Sequence, residues 1–196
     1  MKQLSPLFFT FVISIGLLSG CNSKPEFIPK PAGYMRVDFP EKKYVVYETD
    51  CPFSFKIPTY AVVREKSETE ADQCMKNIIF GNLRATLHCT YIAIQSPEDF
   101  KEYSEYTRKL AYEHRVKADA IDQIVFKNPE ASVYGVIYEI EGNAACNYQF
   151  YLSDSTKNYF AGSLYFLSAP NADSLRPVLD FLKTDIRHLV ETFRWK

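Results

Sequence analysis

The 196-residue sequence predicts an α+β fold: a single domain in which two main helices pack on an antiparallel β-sheet. Three observations carry that prediction. Aromatic residues make up 15% of the chain, with fourteen tyrosines and fifteen phenylalanines, too much apolar surface for a disordered linker. Short β-branched and aromatic runs follow one another in blocks, the order of neighbouring antiparallel strands rather than of repeated βαβ units. Two segments interrupt that texture with apolar residues at steps of three and four. At this length one well-buried core is expected, and two comfortable domains are not.

The first block of strands is Tyr44 to Glu48, Phe53 to Ile57, a short Ala61 to Arg64, Lys76 to Phe80 and Ala85 to Ile94, with a charged loop running up to Gln73. Ser96-Pro97-Glu98-Asp99 then supplies an N-cap, a proline suited to the first helical position and two acids favoured by the helix dipole. Phe100, Tyr103, Thr107 and Leu110 share one face of that helix through about His114. Ile121 to Phe126, Val133 to Glu141, Ala144 to Leu152 and Tyr159 to Leu167 form a second block, an antiparallel meander. Gly142-Asn143 suits a two-residue hairpin turn, and Asp154 to Asn158 a longer one. The stretch from Asp173 to Lys196 is the clearest amphipathic helix. Pro177 belongs in a first turn, so its N-cap is expected at Asp173 or Ser174.

Residues before Tyr44 read differently. Leu7 to Leu18 is apolar except for Thr10, Ser14 and Gly16, follows the positive charge of Lys2 and ends in Leu18-Ser19-Gly20-Cys21. The run falls short of the roughly 20 apolar residues that span a bilayer and has the form of an export signal. Its end resembles the bacterial lipobox, which implies that residues 1–20 are a signal peptide and that Cys21 is lipidated. Each buried methylene contributes about 0.8 kcal/mol, so two or three acyl chains make such an anchor effectively permanent. Residues 21–43, with Pro25, Pro29, Pro31 and Pro40, read as the lipidated N-terminus and a proline-rich tether, and residues 44–196 as the globular domain. The Gly33 to Phe39 half of the tether, with three apolar side chains, is expected to pack against that domain.

Twenty-three basic and twenty-four acidic residues give a net charge of -1, which disfavours nucleic acid as a partner. Export implies an oxidising compartment, and four cysteines remain beside Cys21, which permit three pairings. Cys51 and Cys74 flank loop-like stretches where two sulfurs have the freedom to meet, and a loop of that size closed by a bridge gains about 3 kcal/mol. Cys89 and Cys146 lie inside apolar strands, where a small buried hydrophobe is at least as good a reading as a second bridge.

No familiar site signature is present: no His-Glu-x-x-His helix, Cys-x-x-Cys pair, nucleophile elbow or phosphate-cradling loop. His88 and Cys89 are neighbours on a strand and point to opposite faces; His114 and His188 fall near the polar faces of their helices. Asp119 and Asp122 are the carboxylates best placed to share a face, and a turn uses Asp as readily as an acid–base pair does. Asp180, Lys183, Asp185, Arg187, Glu191 and Arg194 read as the wet face of the last helix. Catalytic residues, metal ligands, cofactors and a small-molecule substrate are therefore not expected.

Several stretches together resemble the gliding-motility lipoprotein GldD family of Bacteroidetes. They include Pro29-Lys30-Pro31-Ala32-Gly33-Tyr34, Asp50-Cys51-Pro52-Phe53, the run His114 to Ile121, Val133-Tyr134-Gly135-Val136-Ile137-Tyr138, Gly162-Ser163-Leu164-Tyr165-Phe166, and Pro170 to Leu175 leading into His188 to Lys196. Their order and spacing, over nearly the whole mature chain, carry the resemblance. It implies a non-enzymatic lipoprotein of the gliding and type IX secretion machinery, anchored in the envelope, facing the periplasm from the outer membrane. Its implied partners are other gliding lipoproteins and outer-membrane secretion components. The family carries cysteines at the Cys51 and Cys74 positions, which favours that bridge. The competing reading is a periplasmic ligand-binding module or hydrolase with an unrecognised site.

Overall fold

The computed structural model describes residues 36–65 and 74–196. Among them, ten strands in two antiparallel sheets and two helices make one α+β domain. The strands are β1 (Tyr44–Tyr47), β2 (Phe53–Pro58), β3 (Val62–Glu65), β4 (Lys76–Phe80), β5 (Ala85–Ala93), β6 (Ala118–Asn128), β7 (Val133–Gly142), β8 (Cys146–Ser153), β9 (Asn158–Phe166) and β10 (Arg194–Trp195). The helices are α1 (Pro97–Glu113) and α2 (Ala172–Thr192). Seven strands form the main sheet in the order β3-β4-β5-β9-β8-β7-β6, and β1-β2-β10 form a small one. β9 returns between β5 and β8, so the last strand of the meander joins both blocks into one sheet.

Strand alternation divides the main sheet into two unlike faces. On one, Phe150, Leu152, Phe160 and Leu164 meet the small sheet and α2 in a core that also takes in Phe53, Phe55, Leu182, Ile186 and Phe193. Gly162 makes room there: a Cβ at this position would lie 2.5 Å from the Phe150 ring. On the other face α1 covers a smaller cluster of Ala111, Tyr138, Ile140 and Ala144, with Tyr112, Ile121 and Tyr151 beside it.

The ends of α1 follow its sequence. Ser96 Oγ accepts from the Asp99 N–H at 3.1 Å, the Asp99 carboxylate accepts from the Ser96 N–H at 3.1 Å, and Pro97 opens the helix. Helix α2 begins earlier than expected, because Asn171 rather than Asp173 or Ser174 is the N-cap and accepts from the Ser174 N–H at 3.1 Å. Pro177 therefore lies inside the helix, beyond its first turn. The helix also stops before Lys196. Phe193 turns extended and puts its ring 5.0 Å from that of Phe160, and Arg194 and Trp195 pair with β2.

The β7–β8 connection is longer than the expected two-residue turn, running from Asn143 to Ala145. Gly142 ends β7 at φ +94°, and a Cβ there would sit 2.7 Å from the Asp119 backbone nitrogen, so a bulge in β6 crowds the position. The β8–β9 turn is built on Asp154, whose carboxylate accepts the N–H groups of Thr156, Lys157 and Asn158 at 2.8 to 3.0 Å. Upstream of β1, Val37 packs against the larger core and the Phe39 ring stacks on Phe181 of α2 at 4.5 Å.

Candidate functional site

Along α2, Val178, Leu182, Asp185 and Leu189 recur at steps of four, three and four, and all four are buried. The apolar stripe thus contains one carboxylate. Asp185 is 1% exposed, which corrects its placement on the wet face of the helix. A buried carboxylate needs donors to offset the loss of water, and here the segment around β1 and β2 supplies them. Lys42 Nζ reaches Asp185 Oδ1 at 2.7 Å and the Phe181 carbonyl at 2.8 Å, with its ammonium 3.9 Å from the Phe181 ring centre. Tyr44 Oη donates to Oδ1 at 2.6 Å, and Tyr60 Oη donates to Oδ2. Burial first, and then the Asp185 carboxylate, push both phenols above their ordinary pKa, so they stay protonated as donors.

This cluster fastens the start of the domain to α2. Its neighbours continue the contact: the His188 ring packs at a tilt against Tyr44 with ring centres 3.9 Å apart, and Tyr60 meets Phe181 and Phe80. A second ionic contact ties α2 to the main sheet, where Glu139 of β7 accepts from Lys183 at 2.7 Å and Arg187 at 3.1 Å. Chemically the Asp185 cluster is a closed hydrogen-bonded set that holds segments together. Its one carboxylate is spent on three donors.

Cys51 and Cys74 are joined as a disulfide with Cα atoms 5.7 Å apart, tying the start of β2 to the start of β4. Cys89 and Cys146 are buried and unbridged. Cys89 lies opposite Gly162 and Cys146 opposite Tyr165, and burial raises both thiols, that of Cys146 to about 12. Cys21 and the Leu7 to Leu18 run lie outside the described residues.

The remaining candidates are scattered. His88 Nδ1 pairs with the Asn77 side-chain oxygen at 2.7 Å, on the sheet face opposite Cys89. His114 caps α1, and burial lowers its pKa. Asp122 lies opposite Glu139 in the β6–β7 register, whereas Asp119 sits in the bulge against Gly142. Asp119 lines a depression of about 280 Å³ beside α2 whose other walls include Glu141, Asn147, Arg176, Asp180 and Lys183. Charges of both signs line it. Among the described residues no three His, Cys, Asp or Glu side chains are grouped to hold a metal ion, and no helix is long and apolar enough to cross a membrane.

The Asp185 cluster was within reach of sequence reasoning, since the period of the stripe includes position 185. The identity of its partners was not, because 125 to 143 residues separate them along the chain.

Comparison with known proteins adds a family. Residues 24–195 match the family model described as gliding motility lipoprotein GldD. No curated protein matches the sequence. Among solved structures, the solution structure of cyanobacterial PsbP (CyanoP) from Synechocystis sp. PCC 6803 is similar over 85% of this chain and 100% of its own, at 11% identity and a TM-score of 0.48. That likeness is too distant to bear on function.

Proposed function

Because the chain belongs to the gliding motility lipoprotein GldD family, we infer that it is a non-enzymatic envelope lipoprotein, a structural or assembly component of the gliding and type IX secretion machinery. In this reading residues 1–20 are removed, Cys21 carries the lipid, and the proline-rich residues that follow are the tether. The domain faces the periplasm from the outer membrane and works by touching other gliding lipoproteins and outer-membrane secretion components.

The observation that carries the reading is the family match, which runs from just after Cys21 to the last strand. The Asp185 cluster supports it. Lys42, the last tether residue but one, is fastened to α2, so a pull or a position set at the membrane passes directly into the body of the domain. The experiment is metabolic labelling of the native host with an alkyne fatty acid, on the natural chain and on Cys21→Ala. The natural protein should take the label, and Cys21→Ala should lose the label, gliding and type IX secretion together. Unlabelled natural protein contradicts the anchor; an unlabelled variant with full motility and secretion removes its importance.

A further inference from the structure

The depression of about 280 Å³ beside α2 lies between the first turns of that helix and one end of the main sheet, where β6 and β8 start and β7 stops. Leu175 and Leu179 give it apolar wall on the helix side. Asp119 of β6, Glu141 of β7 and Asp180 of α2 bring three carboxylates to it. The two cations in its walls are already engaged, Lys183 with Glu139 at 2.7 Å and Arg176 with Asp173 at 3.4 Å. Asp119, Glu141 and Asp180 have no ion-pair partner among the described residues. Asp119 is set in place by the β6 bulge, which packs so closely on Gly142 that a Cβ there would lie 3.0 Å from the Asp119 carboxyl carbon.

A surface group of acids is not by itself a site, and Asn147 separates this one from the rest of the surface. Asn147 is only 5% exposed, and it lines the depression. Its amide nitrogen donates to the Ile140 carbonyl at 2.9 Å and to the Gly142 carbonyl at 3.1 Å, which settles which end of the amide is nitrogen. The oxygen accepts no hydrogen bond among the described residues. An acceptor on so buried a side chain needs a donor, and the depression is where one can stand. Three free carboxylates and an amide oxygen ask for an occupant that is positively charged and rich in N–H groups. The leucine wall suits an aliphatic stem. A guanidinium offers five N–H donors and an ammonium three. The carboxylates are not grouped closely enough to share one metal ion, and an anion would face all three of them.

We propose that this depression binds an organic cation, a guanidinium or primary ammonium on an aliphatic stem. Asp119, Glu141, Asp180 and the Asn147 oxygen accept its hydrogen bonds, and Leu175 and Leu179 flank the stem. An arginine or lysine side chain of a partner protein and a free amine share this chemistry. The proposal depends on neither the lipid anchor nor the gliding assignment. The test is heteronuclear NMR of the full-length lipoprotein in mild detergent, titrated at matched ionic strength with acetylarginine amide, putrescine and acetylaspartate amide. The Asn147 side-chain amide and Gly142 backbone signals should move saturably with a cation and stay still with acetylaspartate amide. Asp180→Asn, which leaves the bulge untouched, should weaken binding about threefold, and Asp119→Asn together with Asp180→Asn about tenfold. Tighter binding of acetylarginine amide than of putrescine assigns the site to a partner's side chain, and the reverse order to a free amine. The proposal is overturned if neither cation gives a saturable shift, if acetylaspartate amide gives the same shift, or if binding is unchanged without the two carboxylates.

Discussion

The two faces of the main sheet are held by different physics. Towards α2 the contact is apolar and aromatic: Phe160 lies within 4.9 to 6.2 Å of Phe53, Phe55, Phe150 and Phe193, ring centre to ring centre. Towards α1 it is tyrosine-rich and directional. Tyr159 shares a hydrogen bond of 2.6 Å with Thr107 and donates to the Tyr103 carbonyl at 3.0 Å, while Gln149 donates to the Thr107 carbonyl at 3.2 Å. Area removed from water stabilises without regard to angle, whereas a buried polar contact contributes only about 1 kcal/mol net and is costly when broken. The α2 face therefore supplies the stability, and the α1 face fixes where one helix sits.

The comparison yields graded expectations. Phe160→Ala should cost about 3 to 5 kcal/mol in urea unfolding, because its neighbours are too tightly packed to collapse into the space. A loss under 1 kcal/mol would mean that the α2 face is not the main support. Asp185→Ala leaves Tyr44, Tyr60 and Lys42 without their acceptor and should cost roughly 3 kcal/mol, the worth of hydrogen bonds to a charged group. Trypsin should then cleave after Lys42 faster than in the natural protein; unchanged cleavage would show that the cluster does not hold the segment. Thr107→Val removes one bond from the α1 face and should cost about 1 kcal/mol. A cost matching that of Phe160→Ala would abolish the distinction between the faces.

The smallest effect concerns pH. Asp99 is held below the usual carboxylate range, chiefly by the Gln95 N–H and then by the Ser96 hydroxyl. Burial works to raise Asp154, but the N–H groups of Lys157, Asn158 and Thr156 and the Asn158 side chain together leave it lowered as well. A lowered folded value stabilises above the unfolded carboxylate pKa of about 4, and that contribution is lost as pH falls through the folded value. Helix content followed by circular dichroism below pH 4 should fall more steeply for the natural chain than for Asp99→Asn. Equal slopes would remove the capping carboxylate from the account.

The sequence made local features legible and left the distant pairings dark. The α1 cap and the meander could be read because Ser96-Pro97-Glu98-Asp99 and the alternation of Tyr148, Phe150 and Leu152 express rules that act within a few residues. β10 was hidden because a two-residue strand has no period, and Arg194 and Trp195 continue the apparent helix until the burial of Phe193 bends the chain. Asp185 was misread for a different reason: residue type suggested water, and its true environment depends on Lys42, Tyr44 and Tyr60 arriving from the other end of the chain. Residue type also hid the β6 edge, because Ile121 to Phe126 reads like any half-buried strand and nothing local marks a missing neighbour.

The fate of the four thiols in the domain has a consequence for oxidation. Before the sheet assembles, an oxidant could couple any two of them, and five of the six possible pairs are non-native. Assembly withdraws Cys89 and Cys146 into the interior with their protons firmly held, and brings the Cys51 and Cys74 backbones to 5.7 Å. Tertiary structure thereby acts as its own proofreader, leaving one partner for each reactive sulfur, and errors made early become the only species a disulfide isomerase needs to repair.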